Sequence, residues 1–316
     1  MRVILAVMMS AVILLPLQVS AATEQFWDHA RYDSDGLQVD GGTIGFTTHW
    51  NLSSNNDTGE NHSYNVDEMP ILVEIYTATW CTNCVTTQGI MNEAIGDSNV
   101  EIIHYHRHWF EPRDPFGSNS TEERWTNTYG HAVTLNGGAP RLAPTKVVDG
   151  ERMHYGSRAN SDSLMDDYTA SLSKGPNGLL NGNISLNLHQ VEDFIIFDWD
   201  ISSLAIATQE EYSLEPWILL IEEEAYFPDG SNGLETYEHV LLEALSLDSS
   251  KNSSGVIEVP LPSLWDGDDL KVALLVDWLV EYSPSGSPLP PPSIVYLLTS
   301  LAVSYTHLTL PTKRIV

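Results

Sequence analysis

The sequence predicts an α/β layered domain followed by an all-β antiparallel sandwich. Between residues 68 and 175, short apolar runs alternate with helical patterns, and a Cys-x-x-Cys pair stands where an apolar run meets a helix. From residue 178 onward, apolar and polar residues alternate with a period of two, and turn signals separate the runs. The stretch Lys174-Gly-Pro-Asn-Gly178 separates the two patterns and predicts the domain boundary.

The first predicted domain, residues 68–175, has the element order βαβαββα, which is typical of a thioredoxin-type layered fold. Its predicted elements are a strand at 70–80, a helix at 82–95, a strand at 99–109, a short helix at 120–129, strands at 144–148 and 151–155 joined by an Asp-Gly turn, and a closing helix at 161–172.

The second predicted domain, residues 178–283, is an immunoglobulin-like antiparallel sandwich. Ile184, Leu186 and Leu188 alternate with polar residues, as in a strand with one buried face. Five further strands are predicted at 194–201, 217–226, 239–247, 255–261 and 270–282. Residues 22–67 are polar, and we expect an N-terminal arm with a short strand or hairpin at 43–50, followed by a loop.

The N-terminal end of the chain has the pattern of an export signal. Met1-Arg2 precedes an apolar stretch at 3–17, and small residues follow up to Ala21. Residues 1–21 are therefore predicted to be a cleaved secretory signal peptide, with an uncleaved membrane anchor as the alternative.

The C-terminal end predicts a membrane anchor whose apolar segment is too short to span a bilayer. A Pro-rich linker at 284–293 leads into an apolar segment at 294–302, which has about half the ~20 residues needed to span a bilayer. Residues 303–316 resemble the in-frame translation of a sequencing adapter, so we expect a truncated transmembrane segment followed by a foreign tail. A natural polar tail after a buried strand is the alternative.

The composition and the two cysteines limit the classes of function that the chain can have. The net charge is −29, from 14 Lys+Arg against 43 Asp+Glu, which argues against binding to nucleic acid or to an anionic membrane surface. The signal pattern predicts a secreted or cell-surface, extracytoplasmic protein, where the two cysteines form a disulfide by default. Because that disulfide closes a very small loop, it stabilises the fold little through loop entropy. This favours a chemical role over a structural one.

The pair Cys81-Thr82-Asn83-Cys84 carries the predicted chemistry. A cysteine at the first turn of a helix faces free backbone N–H groups and the positive end of the helix dipole, and both stabilise its thiolate. Cys81 is the predicted nucleophile because it lies nearer the helix start and the surface, and Cys84 is the predicted resolving thiol. Trp80 is expected to shield and orient the pair.

Pro144 precedes a later predicted strand, in the dipeptide Pro144-Thr145. We expect the Ala143-Pro144 bond to be cis and to hold open an edge where a substrate backbone pairs next to Cys81. The alternative is a trans turn proline that begins a strand.

Residues 71–158 resemble a family of secreted thioredoxin-like proteins of unknown function. The shared features are Val73-Glu74-Ile75-Tyr76-Thr77 running into the CxxC, His104, Trp109, Asp114-Pro115-Phe116, Arg124, Tyr129 and Pro144-Thr-Lys-Val-Val-Asp-Gly150. The later run Tyr237-Glu-His239-Val-Leu-Leu resembles the sandwich of some outer-surface thioredoxin-like proteins. The resemblance implies the fold and export, but the family has no assigned reaction.

The candidate site differs from that of thioredoxins proper in two respects. Thr82-Asn83 replaces Gly-Pro between the cysteines, and Glu74 lies one place from the buried acid that thioredoxins use in proton transfer. The resemblance makes Glu74 a candidate for that role. A satisfied structural carboxylate is the alternative.

Three histidines give a rival chemistry. His104, His106 and His108 alternate along one predicted strand and therefore share a face, where imidazoles can bind zinc or copper, with the CxxC thiolates as further ligands. The alternative is a solvated or helix-covered strand face.

Three functions follow from these patterns. The first is a membrane-tethered thiol–disulfide oxidoreductase that needs no cofactor and acts on thiols and disulfides of extracytoplasmic proteins. The second is a cell-surface binding or adhesion protein whose CxxC is a permanent structural disulfide. The third is zinc or copper binding through His104, His106 and His108 with the CxxC. The sequence gives no oligomeric state, redox direction or sandwich ligand.

Overall fold

The computed structural model describes residues 25–51, 59–110, 114–175, 178–247, 253–267 and 269–281. The predictions made for residues 1–21 (signal peptide), 284–293 (linker), 294–302 (transmembrane segment) and 303–316 (foreign tail) concern residues outside these ranges. Among the described residues, the search for a helix of sufficient length and apolar character to span a bilayer finds none.

The described chain is rich in strands. The strands are β1 (Asp28–His29), β2 (Gly41–Asn51), β3 (Glu60–Asn65), β4 (Ile71–Thr77), β5 (Val100–His106), β6 (Thr145–Val148), β7 (Arg152–Tyr155), β8 (Leu180–Asn181), β9 (Asn183–Val191), β10 (Phe194–Asp200), β11 (Ala205–Ile206), β12 (Glu211–Tyr226), β13 (Thr236–Ser246), β14 (Ser254–Pro260) and β15 (Asp269–Glu281). The helices are α1 (Thr82–Ile95), α2 (Asn119–Trp125), α3 (His131–Leu135) and α4 (Leu164–Ser173), with a π-helical turn at Thr126–Gly130 between α2 and α3.

One nine-stranded sheet runs through both halves of the chain, in the order β1-β7-β6-β4-β5-β13-β12-β15-β2. Strands β4 and β5 are parallel because α1 crosses over between them, whereas β6 and β7 run antiparallel beside β4. The two halves join where β5 and β13 pair in parallel, with Val240 opposite His104. In the series β13, β12, β15 and β2, each strand runs antiparallel to its neighbour.

A second, four-stranded sheet in the order β14-β10-β9-β3 packs against the β12, β15 and β2 part of the long sheet. Leu186 and Phe197 from the small sheet share a buried core with Phe46 and Trp278 from the long one. The period-two pattern is confirmed, because Ile184, Leu186 and Leu188 are all fully buried while their neighbours in β9 are not. The chain therefore has large antiparallel sheets packed face to face.

The other end of the long sheet is covered on both faces. Val73 and Ile75 of β4 pack under α1 and α4, against Met91 and Tyr168. The opposite face of β4 and β5 packs against aromatic residues of α2 and the π-helical turn, including Trp125. Burial on both faces explains why β4 reads as a continuous apolar run rather than an alternating one.

Within residues 22–67, the short strand predicted at 43–50 is present as β2, whereas the stretch expected to be a loop contains β3. Strand β2 pairs with β15 along eleven residues, and β3 pairs with β9, so both strands complete the packed sheets. The strand β3, Glu60–Asn65, is almost entirely polar, and its burial alternates only between exposed and partly exposed. Without a clear apolar period, the sequence carried no strand signal there.

Candidate functional site

The structure joins Cys81 and Cys84 in a disulfide, with Cα atoms 5.2 Å apart, at the junction of β4 and α1. Cys81 is the N-cap residue of α1, and its Sγ accepts a hydrogen bond from the backbone N–H of Cys84 at 3.2 Å. A sulfur in this position faces the N–H groups and the dipole of the first helical turn, which stabilise negative charge. The predicted strand-to-helix placement is confirmed.

The two cysteines are equally buried, each with 5% of its surface exposed. The sequence predicted a more exposed Cys81, and this expectation is wrong because Ala78, Trp80 and Ala143 pack around the pair. The indole of Trp80 lies under the guanidinium of Arg107, 5.3 Å from the ring centroid. Trp80 therefore covers the disulfide, and position in the helix, not exposure, distinguishes Cys81 from Cys84.

The Ala143-Pro144 peptide bond is cis, as expected. Ala143 contacts the cluster that contains the disulfide, so the cis bond lies beside it. The carbonyl of Pro144 accepts the backbone N–H of Gly156 at 2.7 Å, and β6 begins one residue later at Thr145, paired on both sides. The expected free edge for a substrate backbone therefore does not extend into β6.

A loop from the second half of the chain contacts the residues just before the CxxC. We call residues 227–235, between β12 and β13, the clasp loop. The backbone N–H groups of Ser231 and Asn232 donate to the carbonyl of Thr79 at 3.0 and 3.2 Å, and Asn232 Nδ2 lies 3.4 Å from the carbonyl of Ala78. The sequence showed only a turn signal here.

A cavity of about 300 Å³ lies beside Cys84, between α1, β5 and the clasp loop. Its walls include Cys84 and Gln88 from α1, His104 and His106 from β5, and Asn232 from the clasp loop. The cavity is thus shared by one sulfur and two imidazoles.

His106 is buried and hydrogen-bonded to Asp114 inside this region. Its Nδ1 lies 3.0 and 3.1 Å from the two carboxylate oxygens of Asp114. The carboxylate of Asp114 also accepts the backbone N–H groups of Thr79 at 2.9 Å and Phe116 at 3.3 Å. The sequence analysis named Asp114 only as part of the family resemblance and gave it no role. Its contact with His106 is a tertiary one, which the sequence pattern does not show.

The three histidines do not form the predicted metal-ligand set. Strand β5 ends at His106, so the alternation stops before His108. Nδ1 of His104 donates to the carbonyl of Glu238 at 2.5 Å, and burial lowers the pKa of His104. Within the described ranges, three acidic side chains do come within 4.8 Å of one another, and they could hold a metal ion. They are Glu222, Asp266 and Asp269, not the histidines.

Glu74 lies on the wrong face for the proton-transfer role. Side chains alternate along β4, so Glu74 points away from α1 while Val73 and Ile75 pack under it. Its carboxylate accepts the hydroxyl of Tyr105 at 2.5 Å and lies 3.2 Å from Arg124 Nη2. The structure thus corrects the prediction in favour of the alternative, a satisfied structural carboxylate.

Lys146 is a buried amine that the sequence analysis did not single out. It shares a face of β6 with Val148, under α1, and its Nζ donates to Thr87 Oγ1 at 2.6 Å. The hydroxyl of Thr87 in turn donates to the carbonyl of Cys84 at 3.2 Å. Burial lowers the pKa of Lys146 to about 7. The two hydrogen bonds connect this amine to the backbone of the CxxC helix turn.

No protein-family model and no curated protein matches the chain. The solved structures that are similar to it include two of low identity. HBP35 of Porphyromonas gingivalis is 15% identical with a TM-score of 0.38, over 71% of this chain and 80% of that one. A structural-genomics protein from Agrobacterium tumefaciens is 14% identical with a TM-score of 0.37, over 70% of this chain and 97% of that one. At such TM-scores, neither similarity bears on fold or function.

Proposed function

We propose that the chain is a thiol–disulfide oxidoreductase that uses Cys81 and Cys84 on a thioredoxin-like domain. The observation that carries the proposal is Cys81 as the N-cap of α1, with its sulfur accepting the N–H of Cys84. The same interaction that orients the sulfur in the disulfide stabilises a thiolate in the reduced protein, and the thiolate is the reactive species.

The local topology supports a thioredoxin-like assignment. The unit β4-α1-β5 is a parallel crossover, and β6 and β7 continue the same sheet as an antiparallel pair before α4 closes the layer over β4. The cis Ala143-Pro144 bond lies beside the disulfide. The packed antiparallel sheets that follow support an immunoglobulin-like sandwich as the second unit.

The proposed reaction exchanges one disulfide for another. The thiolate of Cys81 attacks a sulfur of the partner disulfide, a mixed disulfide forms, and the first partner thiolate leaves. The thiolate of Cys84 then attacks Cys81 Sγ, the mixed disulfide breaks, and the second partner thiolate leaves. Two electrons and two protons pass from the dithiol to the partner, and the same steps run in reverse for oxidation.

The proposed partners are thiols and disulfides of extracytoplasmic proteins, and the proposed location is the cell surface. An exported protein meets an oxidising environment, in which a disulfide such as Cys81–Cys84 persists. The apolar segment at 294–302 supports a membrane tether.

Trapping of the mixed disulfide tests this function. With insulin as the disulfide substrate, Cys84→Ser is expected to accumulate a covalent adduct through Cys81, because no resolving thiol remains. Cys81→Ser is the matched control and is expected to form none. The wild type should accelerate insulin reduction by dithiothreitol.

The burial of both cysteines favours a second function, in which the disulfide is only structural and the packed sheets bind a surface partner. In that case, insulin reduction shows no acceleration and Cys84→Ser yields no adduct.

A further inference from the structure

The pairing of His106 with Asp114 fixes which nitrogen of the imidazole is free. A carboxylate accepts hydrogen bonds, so Nδ1 of His106 carries the proton that it shares with Asp114 at 3.0 Å. In the neutral ring, the lone pair then lies on Nε2. The carboxylate of Asp114 itself accepts hydrogen bonds from the backbone N–H groups of Thr79 and Phe116. These bonds fix the position of the carboxylate, which in turn orients the ring of His106.

The free side of this imidazole belongs to the cavity beside Cys84. Nδ1 is the ring nitrogen that His106 uses for hydrogen bonding within the described ranges, and no side chain or backbone group there pairs with Nε2. The rings of Phe116 and Tyr237 pack edge-on against the imidazole, 5.0 and 5.8 Å away between centroids. His106 and Cys84 both line the cavity of about 300 Å³, which is large enough to hold water between them.

The resolving step creates a need for such a base. Cys84 must lose its proton before its sulfur can attack the mixed disulfide on Cys81. Cys84 lies three residues into the helix, with 5% of its surface exposed, so bulk water reaches it poorly. A base oriented by a third group, within reach through the same cavity, is the arrangement that activates a nucleophile in many enzymes.

We propose that His106, oriented by Asp114, is the proton-relay residue for the Cys84 thiol, acting through the cavity that they share. This inference rests on the proposed thiol–disulfide exchange. The proton of Cys84 passes through the cavity to Nε2, the Cys84 thiolate attacks Cys81 Sγ, and the bond from Cys81 to the partner breaks. The partner leaves as a thiolate with the electron pair, and the imidazolium then returns its proton to that thiolate or to solvent.

The other basic groups near the disulfide are placed differently. His104 also lines the cavity, but its Nδ1 is bonded to the carbonyl of Glu238, and no carboxylate orients it in the described part of the chain. Lys146 bonds to Thr87 on the inner side of α1. The ionisable groups that contact His106 or line the cavity with it are Asp114 from the following loop, Tyr237 and Glu238 from β13, His104 from β5 and Cys84 from α1.

A two-phase reaction separates this inference from the function on which it rests. The reduced protein is mixed with dithiobis(nitrobenzoate), a chromogenic aromatic disulfide, in a stopped-flow instrument. Attack by Cys81 releases the first nitrothiobenzoate, and attack by Cys84 on the mixed disulfide releases the second. If the first phase is no faster than with an ordinary cysteine thiol, the proposed function fails, and if it is fast, the second phase tests His106.

The variants are His106→Asn, which keeps a donor for Asp114 but has no Nε2, and His104→Asn as the control in the same cavity. We expect His106→Asn to slow the second phase by about a hundredfold. It should leave the first phase unchanged, because Cys81 attacks without this relay. His104→Asn should leave both phases unchanged. Asp114→Asn should also slow the second phase and leave the first unchanged, because the ring of His106 loses the carboxylate that orients it. This variant tests the inference if His106→Asn does not fold.

Two results overturn the inference. One is a second phase with an unchanged rate in His106→Asn and Asp114→Asn. The other is an equal slowing of both phases in these variants, which indicates a general structural effect.

Discussion

At the scale of single residues, Lys146 lies in an environment far from the ordinary one of an amine. The side chain is 1% exposed, and its Nζ has a hydroxyl, Thr87 Oγ1, and the ring of Tyr168 as neighbours. In the described part of the chain, no carboxylate forms an ion pair with it. Burial lowers its pKa from the usual value of 10.5 to about 7 because the charged form loses hydration.

This pKa predicts how stability depends on pH. Between about pH 7 and pH 10, the unfolded chain binds a proton at Lys146 that the folded protein does not, so stability rises with pH in this window. The slope for one proton is at most about 1.4 kcal/mol per pH unit. Urea denaturation of the oxidised protein from neutral to alkaline pH should show this rise in the wild type and lose it in Lys146→Met.

Lys271→Met is the matched control, because Lys271 Nζ is paired with Glu223 at 2.8 Å and Glu101 at 3.4 Å. It should keep the alkaline rise. If Lys146→Met retains the full slope of the wild type, the buried amine is charged at neutral pH and this account of Lys146 is wrong.

The residue scale also shows what the sequence could and could not predict. Cys81, Cys84 and Pro144 were found because their positions relative to strand and helix patterns are local in the chain. The pair His106 and Asp114 was not found, since it depends on a loop that turns back after β5. His108 was wrongly grouped with His104 and His106 because the end of a strand is set by its partners, not by its own sequence.

At the scale of elements, the clasp loop ties the β12–β13 hairpin to the approach of the CxxC. Besides its backbone contacts with Thr79, the side chain of Asn232 accepts a hydrogen bond from the hydroxyl of Tyr237 at 2.9 Å. Gly230 lies so close that a Cβ there would meet the same hydroxyl at 2.1 Å. The loop is therefore a fitted contact, which the sequence pattern of a simple turn did not reveal.

We expect Asn232→Ala to loosen this contact and to expose the disulfide. Loss of its side-chain hydrogen bonds should cost about 1 kcal/mol and increase the rate of reduction of Cys81–Cys84 by dithiothreitol several-fold. Stopped-flow tryptophan fluorescence can follow the reduction, since Trp80 packs against the pair. Asp229→Ala changes an exposed residue of the same loop and should react at the rate of the wild type. Equal rates in the two variants would show that the clasp loop does not limit access.

At the scale of the whole molecule, a buried ionic network connects the two halves of the long sheet. Asp277 of β15 is bound by Arg31 at 2.9 Å and by Arg124, and Arg124 also contacts Glu74 of β4 at 3.2 Å. Burial alone would raise the pKa of Asp277, but the guanidinium groups of Arg124 and Arg31 outweigh it and lower the pKa to about 2. Glu74, once a candidate for chemistry, thus serves this network.

Removal of Asp277 takes the carboxylate away from buried Arg31 and leaves Arg124 paired with Glu74. Asp277→Ala should reduce the free energy of unfolding by about 3–5 kcal/mol at neutral pH. In the wild type, this contribution is present above about pH 4 and is lost as the pH falls toward about 2, because the folded pKa is lowered. Denaturation curves at neutral and acidic pH measure both effects. Asp198→Ala, on the exposed side of β10, is the control and should cost little, and an equal cost in both variants would contradict the role of the network.

The architecture of the whole molecule was only partly predictable. The order of strands and helices from β4 to α4, and the alternating strands after residue 178, follow from local periodicity. The fusion of both halves into one sheet does not, because it depends on the contact of β5 with β13, which are far apart in the sequence. The pairing of β2 with β15 and of β3 with β9 was not predictable either. Pairing between distant strands leaves no periodic signal in the sequence of either strand.

The midpoint reduction potential of the Cys81–Cys84 pair, measured in equilibrium with glutathione, tests the central claim most directly. The account predicts a value within the range of disulfide-exchange proteins, between about −270 and −120 mV. A value below about −300 mV, which is typical of structural disulfides, would contradict an exchange function. The pair would then be a structural disulfide at the junction of strand and helix.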